Sequence, residues 1–395
     1  MTQFVLMHKD VECGVLIIDE TTGKVSGYKD LDKAYTPFLG NSTIENIKTW
    51  WEMRAIPANR ETIKELIHSL TVISPEQYLA KNLGLSVTDT YWIRPIDLDI
   101  SYDNINFFNL KVFNDGRIPY HNNTSYDPNA SLGGQMEKYW DLSGDTPILI
   151  KKSYRYFGQQ SINEVIATKL HSMQGSPFAY VNYQCEKTDD GGTQCRCPAF
   201  TSTKVELVNA YEVVSSKKIS KDTSYYKAFI EICSERGVDK QYIQDYMDYQ
   251  TITDFIISNT DEHLMNFGVI RDADTMSIIG PAPIFDSGNS MFYSDVKSEP
   301  FTRAEMLERK ITSFYSSEEK MLKNVKNRNI VKIDLLPTPQ ELKDIYMEYD
   351  MPEPRVNNII SNYTLKCSML KEFQQGISIS LYHEKRKSRA EKYGG

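Results

Sequence analysis

The chain is 395 residues long with 40% hydrophobic and 25% charged residues, ordinary globular usage that excludes wholesale disorder. At roughly 150 residues per domain it accommodates two or three domains, and it is long enough to bury a core without disulfide or metal staples. The 45 Lys and Arg against 53 Asp and Glu leave a net charge of −8, which argues against a general nucleic-acid coat, because neutralising phosphates takes a basic face. The longest apolar runs, Val15–Ile18 and Pro147–Ile150, are strand-sized, far below the ~20 residues a bilayer requires. The N-terminus, MTQFVLMHKDVE, has no basic region and no long apolar stretch, so no signal peptide is expected. On that expectation the Asn-x-Ser/Thr triplets at Asn41, Asn123 and Asn362 are chance matches. The six Cys are then reduced thiols of a cytoplasmic protein.

In chain order, residues 3–30 read as a β-meander, with apolar stretches at Phe4–Met7 and Cys13–Ile18 and a hairpin signal at Thr22-Gly23. Ile44, Ile47, Trp50 and Trp51 then recur at helical spacing, and a second helix is predicted with Ile63, Leu66, Ile67 and Leu70 on one face. Residues 75–83 give a third short helix, and strand-like or irregular chain follows to about residue 118. The segment 121–129, rich in Asn, Ser, Asp and Pro, reads as a loop or boundary. Next come a loop holding Gly133 and Gly134, a buried-type strand Pro147–Lys151, a helix Ile162–Met173, and a hairpin of Phe178–Glu186 and Thr193–Phe200 turned by Asp189–Gly192. Beyond residue 201 helices dominate, with residues 223–236 and 240–258 long and periodic and Asp222 and Asp239 placed as N-caps. The last stretch, 383–395, carries five Lys or Arg against two Glu and is expected to be a frayed basic tail. The expected domains are an N-terminal mixed α/β module (1–120), a small β-rich lobe (121–200), a helical lobe (201–382) and the tail (383–395). That order is the layout of a bilobal phosphotransferase.

The segment with most chemistry is Asn259-Thr260-Asp261-Glu262-His263-Leu264-Met265-Asn266-Phe267-Gly268, followed by Pro283-Ile284-Phe285-Asp286-Ser287-Gly288. The spacing resembles a kinase catalytic loop, Asp-x-x-x-x-Asn, with a metal-binding Asp downstream. In such a site one Asp accepts or orients the proton of the attacking hydroxyl. The Asn and the second carboxylate offer the hard oxygens that Mg²⁺ prefers. Alone, Asp-x-x-x-x-Asn arises often by chance, with the Asp capping a turn and the Asn satisfying a loop. Upstream, Gly133 and Gly134 lie where backbone would approach phosphates. Lys151 ends a strand, its neighbour Lys152 pointing to the opposite face. Glu164 opens the next helix within reach of Lys151. Each has a plainer explanation: a turn, a solvated lysine, a carboxylate complementing a helix dipole. Their order is what makes a set.

These motifs, Asn259-x-Asp261-x-His263-x-x-Asn266-Phe267, Pro283–Gly288, and Ser131-x-x-Gly134 with Glu137-Lys138, resemble the HipA-like serine/threonine kinase family, named for the toxin kinase of a bacterial toxin–antitoxin pair. The match covers residues 125–300. The resemblance implies an α+β, bilobal protein-kinase-like fold and an ATP- and Mg²⁺-dependent protein kinase. It implies Asp261 as catalytic base, Asn266 and Asp286 as Mg²⁺ ligands, Lys151 as the phosphate-contacting lysine paired with Glu164, and His263 as a brace of the loop. Adenine would be gripped near Pro198–Thr201, including Phe200, and the phosphates by the loop of Ser131, Gly133 and Gly134. Ser131 matches the loop serine whose autophosphorylation is inhibitory in the founding kinase. This loop departs from the founder at Gly133 and Gln135, where the founder has alanines. The expected partners are a protein substrate with a Ser or Thr acceptor and a separately encoded, DNA-binding antitoxin, with no direct nucleic-acid or membrane contact. Two other classes stay open: a kinase of lipids or small molecules, and a kinase-like scaffold or repressor module acting through partners.

Among the remaining features, Cys185, Cys195 and Cys197 supply only three ligands with no nearby His, so reduced, partly buried thiols are expected over zinc. Trp50-Trp51 reads as core or module interface, and Lys385-Arg386-Lys387 as a solvated charge run.

Overall fold

The computed structural model describes residues 1–60, 64, 74–109, 126–134, 136–295 and 297–393, with the side chains of 388–393 excepted. The helix predicted on Ile63, Leu66, Ile67 and Leu70 and the first part of the loop 121–129 lie outside the described residues.

In chain order the strands are β1 (Thr2–His8), β2 (Val11–Ile18), β3 (Val25–Asp30), β4 (Tyr91–Pro95), β5 (Lys138–Asp141), β6 (Ile148–Ser153), β7 (Gln184–Lys187), β8 (Thr193–Pro198), β9 (Val205–Asn209), β10 (Gly268–Asp272) and β11 (Ile278–Pro281). The principal helices are α1 (Ile44–Arg54), α2 (Pro75–Lys81), α3 (Gln159–Gln174), α4 (Ala210–Ser215), α5 (Tyr225–Glu235), α6 (Lys240–Ile257), α7 (Arg303–Glu308), α8 (Glu318–Leu322), α9 (Pro339–Glu348), α10 (Glu353–Gln374) and α11 (Leu381–Tyr393). The chain divides into two compact units. The first comprises Met1–Lys151, Arg196–Ser224 and Val269–Gly280; the second comprises Lys152–Cys195, Tyr225–Gly268 and Pro281–Gly395. The N-terminal module and the glycine loop thus belong to one unit.

In the first unit β3, β2, β1 and β4 form an antiparallel sheet in that order, with Phe4 opposite Leu16 and Leu6 opposite Ile93. The β2–β3 turn holds Gly23 at φ +71, a conformation suited to glycine. Thr43 caps α1 by accepting the Asn46 N–H, and Ile47, Trp50 and Trp51 pack with Leu6, Leu16, Leu79 and Trp92 in the core. The tryptophan pair is therefore core. A charged centre sits nearby. Glu206, fully buried, accepts from Arg271 Nε at 3.0 Å and Nη2 at 2.7 Å and from the Thr90 N–H at 2.7 Å, with His8 Nε2 3.0 Å away. Such a carboxylate persists without water because every lone pair is met.

In the second unit α6 is capped by Asp239, which accepts the Tyr242 N–H. The helix ends on Ser258 in the left-handed region, with the Asn259 N–H bonded to the Asp254 carbonyl. Phe229, Phe267 and Phe314 meet edge-on or tilted at 5.4–5.9 Å. Lys366 and Glu318 form a buried ion pair, and Lys366 lies 4.1 Å from the Phe255 ring.

Three sequence expectations are corrected here. Strand β7 begins at Gln184, not Phe178, because the preceding chain pairs elsewhere: Tyr180 bridges Ile284 in parallel, with the Val181 N–H on the Ile284 carbonyl at 2.8 Å. Helix α5 begins at Tyr225, so Asp222 is not at its capping position. The C-terminal stretch is not frayed but helical to Tyr393, since Arg303 and Lys385 give its acidic neighbourhood partners: Arg303 Nη2 reaches the buried Glu384 at 3.0 Å, and Lys385 pairs with Glu308.

Candidate active site

The left-handed residue at the end of α6 turns the chain sharply into the loop Asn259–Phe267, and one side chain organises that turn. Asn259 Nδ2 donates to Asp254 Oδ1 and to Glu262 Oε2, both at 3.0 Å, while its Oδ1 accepts the Asp261 N–H at 3.2 Å. Asn266 closes the loop from the other end: its Nδ2 donates to the Asp261 carbonyl at 2.8 Å and its N–H to the His263 carbonyl at 2.8 Å. The His263 ring accepts the Met265 N–H through Nδ1 at 3.3 Å. With the Asn266 nitrogen turned onto the loop, its amide oxygen faces the other way.

The downstream acid arrives on a second strained segment. The Tyr180–Ile284 bridge delivers the chain to Asp286, which holds φ +61, an uncommon backbone for a non-glycine residue. The Asp286 N–H donates to the Tyr183 hydroxyl at 3.3 Å, and the Ser287 N–H to Glu164 Oε2 at 2.9 Å. The start of α3 fastens the rest. Asn163 Nδ2 donates to the carbonyls of Gly288 (2.9 Å) and Ser290 (2.8 Å), Gln160 Nε2 to Asn289 Oδ1 (2.6 Å), and Gln159 Nε2 to the Met291 carbonyl (2.9 Å). Gly288 sits close to the helix start, where a Cβ would lie 3.1 Å from the Gln160 carbonyl oxygen.

Asn289 joins the two segments. Its Nδ2 donates to Asp261 Oδ2 at 2.6 Å, and its carbonyl accepts the N–H and hydroxyl of Thr260, each at 3.3 Å. Within the second unit, then, Asp261, His263, Asn266, Glu164 and Asp286 belong to one hydrogen-bonded assembly. Sequence reasoning missed Asn289, Gln159, Gln160 and Asn163. A signal existed: Gln159, Asn163 and Glu164 occupy buried positions of a helix where packing alone would place apolar side chains.

The assembly is strongly acidic. Burial, then the neighbouring Asp254, Asp286 and Asp261, push the Glu262 carboxyl well above the ordinary carboxylate range; Asp254 is pushed up to about 7, mainly by burial. Among the described residues no three His, Cys, Asp or Glu side chains are placed to hold a metal by themselves. The pair Asn266 and Asp286 is a different set. Its amide and carboxylate oxygens suit Mg²⁺, which is commonly held by one or two protein ligands with phosphates and water completing the shell.

The other predicted residues lie in the first unit. Lys151, 2% exposed, stands on β6 directly opposite Lys138 on β5. Ser131 ends a short 3₁₀ turn, Pro128–Ser131, and Gly134 is exposed with φ +85. Pro198 ends β8, and the Ala199 N–H is taken by the Pro147 carbonyl at 2.9 Å. Phe200 follows, half-buried. Elsewhere, Cys195 and Cys197 are buried and Cys185 half-buried, with burial pushing the Cys185 thiol up to about 11.

No family model and no curated protein sequence matches this chain. Solved structures do. The Helicobacter pylori proinflammatory kinase CtkA matches with a TM-score of 0.40 at 14% identity, over 60% of this chain and 93% of that one. HipA, solved with HipB and operator DNA from the toxin–antitoxin system of Shewanella oneidensis MR-1, matches with a TM-score of 0.53 at 14% identity, over 95% of this chain and 98% of that one. No helix among the described residues is long and apolar enough to cross a membrane. The near end-to-end match to HipA, reached at low identity, establishes that this chain has a HipA-like, kinase-related fold.

Proposed function

We propose that this protein is an ATP- and Mg²⁺-dependent phosphotransferase acting on Ser or Thr of a protein substrate. One observation carries the reading: Asn289 ties the Asp261 carboxylate to the segment of Asp286, so that a base and a metal-binding acid share one hydrogen-bonded frame. Asp261 orients the acceptor hydroxyl and takes its proton. Asn266 and Asp286 hold Mg²⁺, which when bound would neutralise charge on the transferring phosphoryl group. Lys151 meets the nucleotide's phosphates, and the chain at Pro198–Phe200 receives adenine. The protein's contribution is positioning and fixed electrostatics.

HipA was solved with HipB and DNA, which motivates the companion proposal of a separately encoded antitoxin that brings the DNA-binding function. Ser131, at the end of its turn, is the proposed site of inhibitory autophosphorylation in a cytoplasmic enzyme.

The test is transfer of labelled γ-phosphate from Mg-ATP to proteins of a bacterial extract and to the chain itself, read by mass spectrometry. Asp261→Asn should retain ATP binding and lose transfer by ~10²–10³-fold, the cost of removing one positioned catalytic group. Equal transfer by the variant overturns the base assignment. Transfer to lipids or small molecules alone overturns the protein-kinase reading, and a chain that binds nucleotide under no metal condition is a scaffold.

A further inference from the structure

Arg60 lies in the first unit, 1% exposed. Its guanidinium is turned on the glycine loop: Nε donates to the Gly134 carbonyl at 2.9 Å, and Nη2 to the carbonyls of Gly133 at 2.5 Å and Gly134 at 2.7 Å. The chain leading to Arg60 runs along the same loop, with the Ile56 N–H on the Ala130 carbonyl at 3.1 Å. Three bonds from one rigid, planar fork fix the orientation of two successive peptide groups. In a planar trans peptide the C=O and N–H point in opposite directions. Holding the Gly133 carbonyl on Arg60 therefore aims the Gly134 N–H away from it.

Gly134 is exposed, and a Cβ there would lie 2.7 Å from Lys138 Nζ, so a lysine ammonium stands against the same glycine. Lys138 in turn faces Lys151 directly across the β5–β6 ladder. Two ammonium groups and an outward N–H in one loop region are donors of the kind that receive phosphate oxygens.

Resting on the nucleotide reading above, we propose that Arg60 is a positioning residue for phosphate binding. It holds the glycine loop with the Gly134 N–H outward, and Lys138 joins Lys151 as a cation for the nucleotide's phosphates. The N-terminal module thereby builds part of the nucleotide site.

The test compares Mg-ATP with adenosine by calorimetry on the full chain, in wild type, Arg60→Gln and Arg60→Lys. Arg60→Gln should weaken Mg-ATP at least tenfold while adenosine stays within twofold, and Arg60→Lys should fall between. A folded Arg60→Gln chain that keeps the wild-type ratio of the two affinities, or loses both equally, overturns the positioning role. Lys138→Ala leaves Arg60 in place and should show the same selective loss; an unchanged ratio there overturns the phosphate placement, even where Arg60→Gln does not fold. A wild-type chain that binds neither ligand overturns the nucleotide reading itself, a result distinct from the others.

Discussion

Replacing Asn289 by Ala removes one hydrogen bond to a carboxylate while leaving the backbone frame in place. The Asn289 side chain donates to Asp261 Oδ2 at 2.6 Å and accepts from Gln160 at 2.6 Å, but the tie to Thr260 runs through the Asn289 carbonyl, which alanine keeps. The bond to Asp261 is charge-assisted, a class worth roughly 1.5–3 kcal/mol. Both residues are half-buried, so water takes over part of the loss and the lower end, about 1.5–2 kcal/mol, applies. At tenfold per 1.36 kcal/mol that is a fall in kcat of about 10- to 30-fold. KM for ATP should hold, since the bond touches the proposed base and not the residues proposed for the nucleotide. Stability should fall by only ~0.5–1.5 kcal/mol, because Gln160 is half-exposed and can turn to solvent. The assay is steady-state phosphate transfer at saturating Mg-ATP, with a urea melt of each variant. Asn289→Asp gives a sharper comparison. It matches the shape but sets a second carboxylate against Asp261, and two such groups share a proton and cannot both ionise. A base that shares its proton cannot accept another, so this variant should be slower than Asn289→Ala. A folded Asn289→Ala enzyme with kcat within twofold of wild type would refute the reasoning.

Two further perturbations test the frame behind the loop. Asp254 titrates near 7 in the folded chain, above its ordinary carboxylate value, so the folded state holds the extra proton. Its contribution is present at low pH and lost as pH rises from about 4 through about 7. Melts of wild type and Asp254→Asn from pH 4 to 8 should therefore show the wild type losing stability relative to the variant across that window, and a constant difference counts against the shift. Lys366→Met leaves Glu318 buried without its partner and should cost about 3–5 kcal/mol in chemical denaturation. Adding Glu318→Gln should restore much of that; additive losses would contradict a direct pairing.

Much of the local structure was legible because it depends on neighbours in sequence. The β-meander with its Gly23 turn, the α1 face of Ile47, Trp50 and Trp51, and the Asp239 cap all follow from periodicity and turn chemistry. The residue types of the candidate loop were equally plain, since Asp261, Asn266 and Asp286 stand at a spacing that resembles a kinase catalytic loop. The misreadings fall where distant chain decides. Phe178–Tyr183 has the composition of a hairpin strand but bonds to Ile284, about a hundred residues away, and no local pattern encodes that partner. The C-terminal helix has a polar, charged sequence and owes its place to Arg303 and Glu308 of α7.

The sequence by itself determined which residue types are available at the candidate site: oxygens at Asn266 and Asp286, a carboxylate at Asp261, and the glycines and lysines proposed for phosphate. Only the tertiary structure decided how they are held. Asn289 reaches Asp261 because the strained backbone at Asp286 turns that segment toward the loop, and the polar start of α3 is buried because it supplies the donors that fix it. Arg60 meets Gly133 and Gly134 across more than seventy residues of chain. A polar residue on the core face of a helix can be noticed in the chain, but its distant hydrogen-bond partner cannot, which is why the candidate residue types were legible and the atoms that hold them were not.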